Sequence, residues 1–99
     1  MGVHLTGHLV CRTATEAELV TTHLPEHIAL SRTESGCLAF SIAPTDDPFV
    51  WSVDEEFEDQ STFESHQKRA ASSDWGRATA GIERRYTIRT VPENPDRQL

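Results

Sequence analysis

The order in which the hydrophobic period changes along the chain is its most constraining feature. Val3 to Arg12 alternates, with Val3, Leu5, Leu9 and Cys11 on one face and His4, Thr6, His8 and Val10 on the other, which is the period of a strand. Gly7 inside that run marks a point of close backbone approach. Thr15-Glu16-Ala17-Glu18 reads as a capping box. Ala17, Val20, Leu24, Ile28 and Ser31 then form one stripe at helical period. Pro25 removes a backbone donor, so a kink or split near residues 21–24 is expected, and Gly36 is the natural stop. Leu38, Phe40 and Ile42 alternate with Ala39, Ser41 and Ala43 as a second strand. After the turn Pro44-Thr45-Asp46-Asp47-Pro48, a third strand places Phe49, Trp51, Val53, Glu55 and Phe57 on one face, so the two form a hairpin. Asp59 or Ser61 caps a second helix, Glu64 completing a box from Ser61, with Phe63, His66 and Ala70 turned inward. Ser72-Ser73-Asp74 restarts a short helical turn carrying Trp75 and Ala78. Ile82 to Val91 is a fourth strand with Tyr86 and Ile88 on one face.

This β-α-β-β-α-β order predicts an α+β fold, a ferredoxin-like sandwich with two helices on one side of a four-stranded antiparallel sheet. The 99 residues allow one domain, placed at residues 1–91, followed by a tail over 92–99 that is expected to be flexible or held by a partner. A chain this short buries only about two-thirds of the surface its unfolded form exposes, so its core is thin. The second sheet face mixes Val10, Ala39, Ala43, Val50 and Val91 with His4, His8, Ser52, Asp54, Arg85 and Arg89. No helix is left to cover it. A second copy of the chain is the expected cover, which predicts a homodimer.

Nine Lys and Arg against sixteen Asp and Glu give a formal charge of −7, and the only basic clusters are the pairs Lys68-Arg69 and Arg84-Arg85. A nucleic-acid backbone would be repelled by such a surface, so nucleic acid is excluded as a partner. No stretch approaches the roughly 20 apolar residues of a membrane span. The start Met1-Gly2-Val3-His4 lacks the regions of a signal peptide, so a cytoplasmic protein is expected. Cys11 and Cys37 fall on first and second strands that are not neighbours in this topology, and they read as unbridged thiols.

Few residues can carry chemistry. His66 follows Phe63 by three positions, so it points toward the sheet, where a neutral imidazole acts either as a general base or as a buried group bonded to backbone. Glu55 shares a strand face with Trp51, Val53 and Phe57, and desolvation there raises a carboxyl pKa. It can accept a proton, orient His66, or pair with an arginine such as Arg77 or Arg84. Trp51 and Trp75 can stack on a flat substrate or simply fill the core. His23 and His27 have the spacing of a metal pair, but Pro25 lies between them and no third ligand follows, so no metal is expected. His27 borders the apolar stripe and can line a cavity instead. No nucleotide-binding loop or nucleophile elbow is present, so any oxidoreduction is expected to proceed without a nucleotide cofactor.

The run from Leu24 to Phe40, and within it Arg32-Thr33-Glu34-Ser35-Gly36-Cys37-Leu38-Ala39-Phe40, resembles the antibiotic biosynthesis monooxygenase family, which commonly reads R-x-E-x-G-C-L-x-[FY] there. Glu55-Glu56-Phe57 is similar to the family's E-x-[FW], and Phe63-Glu64-Ser65-His66 to its [LF]-x-x-H; the resemblance covers about residues 3–90. The resemblance implies a dimeric α/β barrel with a pocket between sheet and helices in each subunit. It further implies a cofactor-independent monooxygenase that oxidises a quinol- or anthrone-like small aromatic with O2. By matching position, His66 and Glu55 carry over as catalytic residues, with His66 as base and Glu55 as its partner. Trp51, Trp75, Phe40, Tyr86 and His27 are the expected substrate-binding residues. Asp74 stands where many quinol-oxidising relatives carry a second histidine, and Gly7 and Thr79 stand where haem-degrading relatives carry asparagine and histidine, so haem cleavage is not expected. Two alternatives remain at this level: a non-catalytic small-molecule-binding or stress-related dimer, and a cofactor-free isomerase.

Overall fold

The structure, a computed structural model, describes residues 1–92, so the expected tail lies, from residue 93 onward, outside the described residues. The elements follow in the order β1 (Gly2–Val10), α1 (Ala14–Thr33), β2 (Cys37–Pro44), β3 (Val50–Phe57), α2 (Gln60–Ala71), α3 (Asp74–Ala78) and β4 (Glu83–Val91). The strands form one antiparallel sheet in the order β2-β3-β1-β4. This is the ferredoxin-like β-α-β-β-α-β arrangement, with α3 as a short extra turn.

Register decides what faces the helices. Leu5 pairs with Glu55 and Leu9 with Trp51 across β1 and β3, while Gly7 pairs with Tyr86 and Leu9 with Arg84 across β1 and β4. Directly opposed residues share a sheet face, so Glu55, Tyr86 and Arg84 lie on the helix side with the core leucines. The core is built there from Val3, Leu5, Leu9, Val20, Leu24, Phe40, Ile42, Val53, Phe57, Phe63 and Ile82. The helices lie over β2, β3 and β1, and β4 is left as a largely bare edge. Tyr86 is therefore only partly buried, and Ile88, expected beside it, is 53% exposed.

Four local expectations are corrected. The N-cap of α1 is Thr13, not Thr15: its hydroxyl accepts from the Glu16 amide at 3.1 Å, and the Glu16 carboxylate reaches back to the Arg12 amide at 2.7 Å. Pro25 does not split the helix, which runs continuously through it. Val20 and Leu24 before the proline and His27 and Ser31 after it are all buried, so packing on both sides holds the helix together. Leu38 is 63% exposed because the β2–β3 register slips between Cys37 and Ala39, and such a bulge re-aims the residue it adds. At α2 the capping box joins Asp59 to Thr62 rather than Ser61 to Glu64.

Gly76 lets α3 dock. A Cβ there would lie 2.1 Å from the Ala70 carbonyl oxygen, so only glycine permits the close approach of α3 to the end of α2. No helix among the described residues is long and apolar enough to cross a membrane. On the outer sheet face His4 Nε2 meets Asp54 Oδ1 at 2.8 Å, amid the mixed polar and apolar residues read from the sequence.

Candidate active site

A cavity of about 420 Å³ opens between the helices and the sheet on the side where β4 is uncovered. His27 of α1, Glu55 of β3, His66 of α2, Trp75 of α3, and Arg84 and Tyr86 of β4 line it, along with Ile42 and Gln67. Every element except β1 contributes to its wall.

His66 is its most constrained member. The side chain is 2% exposed, and Nδ1 lies 2.6 Å from Glu34 Oε1. A carboxylate only accepts, so Nδ1 carries the proton and donates, and Nε2 is left as an acceptor in the neutral ring. Glu34, the C-cap of α1, is itself held: Arg69 Nε donates to its Oε2 at 3.1 Å and Arg69 Nη2 to its Oε1 at 3.2 Å. Arg69 Nη2 also donates to Ser31 Oγ at 3.0 Å. Arg69 follows His66 by three residues on α2, so one helix face supplies both the imidazole and the cation that fixes its carboxylate. On the other side of the ring, His66 Nε2 stands 3.6 Å from Glu55 Oε1, a buried oxygen with no hydrogen-bond partner among the described residues.

Aromatic rings enclose this polar group. The His66 ring centroid lies 4.9 Å from Phe57 and 5.4 Å from Phe40. His27 stacks flat on Trp75, with centroids 4.6 Å apart and planes at 5°, and meets Phe40 edge-on at 5.2 Å.

The charge states follow from these surroundings. Burial, reinforced by the Glu34 charge and opposed by Arg84, pushes the Glu55 carboxyl up to about 7. Burial lowers His66, although the Glu34 hydrogen bond pulls the other way. Burial would raise Glu34, but its hydrogen bonds from Arg69 and His66 outweigh that and hold it below its ordinary value. Burial and the nearby His66 and Arg69 drive His27 down to about 3, so it is a neutral ring. Burial lifts Tyr86 to about 12, so it keeps its proton.

The structure brings together five of the seven residues singled out from the sequence: His27, Glu55, His66, Trp75 and Tyr86. Phe40 stands behind His27 and His66 as backing for their rings. Trp51 lies elsewhere, in a shallow groove with Ala17, Thr21 and Pro48. Glu55 forms no ion pair with Arg77 or Arg84 among the described residues. Arg77 pairs with Asp74, and Arg84 donates to the Thr79 and Ile82 carbonyls and to Thr79 Oγ1. The orienting partner of His66 is Glu34. Sequence reasoning quoted Glu34 without giving it a role and passed over Arg69. One local signal marks Glu34, since an acidic residue at a helix C-terminus runs against the helix dipole and needs another reason to be there. Among the described residues no three His, Cys, Asp or Glu side chains converge as a metal site requires.

The sequence pattern of the antibiotic biosynthesis monooxygenase family matches residues 13–78, two-thirds of the chain and every cavity-lining element but β4. The chain belongs to this family. Solved structures share its fold. The cofactor-independent oxygenase SnoaB from Streptomyces nogalater is 9% identical, with a TM-score of 0.74 over 95% of this chain and 96% of its own. A candidate antibiotic biosynthesis monooxygenase from Nitrosomonas europaea is 19% identical, with a TM-score of 0.75 over 92% and 98%. Rv0793 from Mycobacterium tuberculosis is 14% identical, with a TM-score of 0.73 over 96% and 99%. No curated protein matches the chain by sequence. At these identities the likeness to the solved structures shows the fold alone.

Proposed function

We propose that this protein is a homodimeric, cofactor-independent monooxygenase that oxidises a quinol- or anthrone-like aromatic with O2 in the cavity between helices and sheet. The observation that carries the reading is the His66 imidazole: its Nδ1 is committed to Glu34 at 2.6 Å, which leaves Nε2 as a base in an aromatic-walled cavity. A phenolic or benzylic proton removed by Nε2 leaves an electron-rich anion. The Glu34 carboxylate, fixed by Arg69, favours the imidazolium that forms. His27, Trp75 and Tyr86 offer flat, uncharged walls for the substrate ring.

The redox balance needs no external reductant. When an anthrone CH2 becomes a carbonyl, the carbon loses four electrons, and O2 takes up four in becoming the carbonyl oxygen and one water. Family membership and the SnoaB fold support the same reaction class. The dimer rests on the outer sheet face, which no element among the described residues covers.

Oxygen uptake with a panel of hydroquinones and anthrones tests the reading, with His66→Ala expected to lose roughly 10²-fold or more of the activity. Thermal stabilisation by the same compounds without oxygen uptake would instead favour a binding protein. Proton exchange into a bound ligand without oxygen uptake would favour an isomerase.

A further inference from the structure

Resting on the monooxygenase reading above, we infer that Glu55 is the acid that breaks the O–O bond of the substrate hydroperoxide, and that His66 reloads it by direct proton transfer. Three observations place Glu55 in this role. Its Oε1 is buried and has no hydrogen-bond partner among the described residues, so none of them commits the carboxyl to a structural contact there. That oxygen faces His66 Nε2 at 3.6 Å, the nitrogen left free by the Glu34 bond. Both side chains line the cavity. The orienting task that a second carboxylate beside a histidine ordinarily performs is already taken by Glu34, on the opposite nitrogen.

The charged and titratable groups around Glu55 favour a proton on it. Burial, then Glu34 at the end of α1 and Asp54 on its own strand, oppose ionisation, and together they outweigh Arg84 of β4, which favours it. His66 from α2 and Tyr86 from β4 complete the neighbourhood. A carboxyl that holds its proton near neutral pH can donate it to a leaving group.

The cycle balances. His66 Nε2 first takes a proton from the substrate. The anion gives two electrons to O2 as the carbon–oxygen bond forms, and the imidazolium returns its proton to the outer oxygen, which makes the hydroperoxide. His66 then removes the hydrogen left on that carbon, whose electron pair closes the carbonyl as the O–O bond breaks. The departing oxygen leaves as hydroxide and takes the Glu55 proton to become water. Glu55 is now a carboxylate and His66 an imidazolium, and the proton crosses from Nε2 to Oε1 to restore both. The substrate has lost two hydrogens and gained one oxygen, and the second oxygen atom has left as water.

The test uses the full chain with anthrone as the probe. Wild type is expected to consume O2, form the quinone, and catalyse anaerobic exchange of the anthrone CH2 protons with D2O. Glu55→Gln is expected to keep the anaerobic exchange, which also shows that it is folded, while quinone formation falls roughly 10²-fold or more and the intact substrate hydroperoxide is released in its place. Glu55→Asp, which keeps an acid in nearly the same place, is expected to recover part of the quinone yield. Equal loss of exchange and oxidation in Glu55→Gln would overturn the assignment, because Glu55 would then act before oxygen adds. Full retention of quinone formation would overturn it as well. Absence of O2 uptake by wild type would instead overturn the monooxygenase reading, and this proposal with it.

Discussion

His66 of α2 and Glu34 at the end of α1 are joined by a 2.6 Å hydrogen bond across 32 positions of sequence. That bond sets the tautomer of the imidazole and ties the two long helices together at the edge of the cavity. A ring fixed at Nδ1 presents Nε2 in one direction, toward Glu55 and the space a substrate would occupy.

Glu34→Gln separates orientation from charge. The amide can still accept from Nδ1, but it no longer favours the imidazolium, so His66 becomes a weaker base with a lower pKa. A hydrogen bond to a charged group contributes about 1.5–3 kcal/mol, so turnover is expected to fall roughly tenfold or more. The acidic limb of the kcat/KM profile moves to lower pH in the same variant. A profile measured from pH 4 to 9 checks both effects, and an unmoved limb would mean that Glu34 has no influence on His66.

Stability against pH carries the signature of two buried groups with opposite signs. Glu55 titrates near 4.5 when unfolded and at about 7 when folded, so the folded state holds a proton the unfolded state has lost. Its contribution is fully present below about 4.5 and is lost as pH rises through 7. His27 runs the other way, from 6.5 down to about 3, so its contribution is present above 6.5 and lost as pH falls toward 3. Between 4.5 and 6.5 the two slopes oppose one another. Glu55→Gln removes only the first, so the Tm of the variant relative to wild type should climb from pH 5 to pH 8. A constant difference would show that Glu55 titrates alike in both states.

The outer sheet face offers a test of the dimer. Thr6 pairs with Asp54 on one side and Thr87 on the other, near the middle of that face. Thr6→Glu sets another carboxylate beside Asp54 without touching the cavity. Sedimentation is expected to give the mass of two chains for wild type and of one for the variant. Wild type sedimenting as a single chain at all concentrations would remove the dimer from the proposed function.

Gly76→Ala probes how α3 is held. The added methyl would sit 2.1 Å from the Ala70 carbonyl, a backbone atom that cannot swing aside. α3 must then move away from α2 and carry Trp75 off the His27 ring. A loss on the order of 1–3 kcal/mol is expected in denaturant unfolding, as for other overpacked sites, together with a raised KM for the aromatic substrate. An unchanged melting curve would show that α3 docks with slack.

The element order and most inward residues were legible because the hydrophobic period reports directly which face each segment buries. Val20, Leu24, Trp51, Val53, Phe57, Phe63 and His66 all lie where periodicity puts them. The misreadings sit where a local rule met a tertiary contact. Pro25 did not split α1, because burial on both sides holds the helix, and Leu38 left the core through a bulge visible only in the register with β3.

The sequence by itself determined the ferredoxin-like order of elements, the inward placement of His66 and Glu55, and the mixed outer face that calls for a cover. Tertiary structure decided how those groups divide the chemistry. It set Glu34 and Arg69 behind His66, left Glu55 on the free nitrogen, and put Trp51 in another groove. The physical reason is range: hydrophobic period is fixed by neighbours a few positions apart, whereas a hydrogen bond between residues 32 positions apart depends on how two helices cross the sheet.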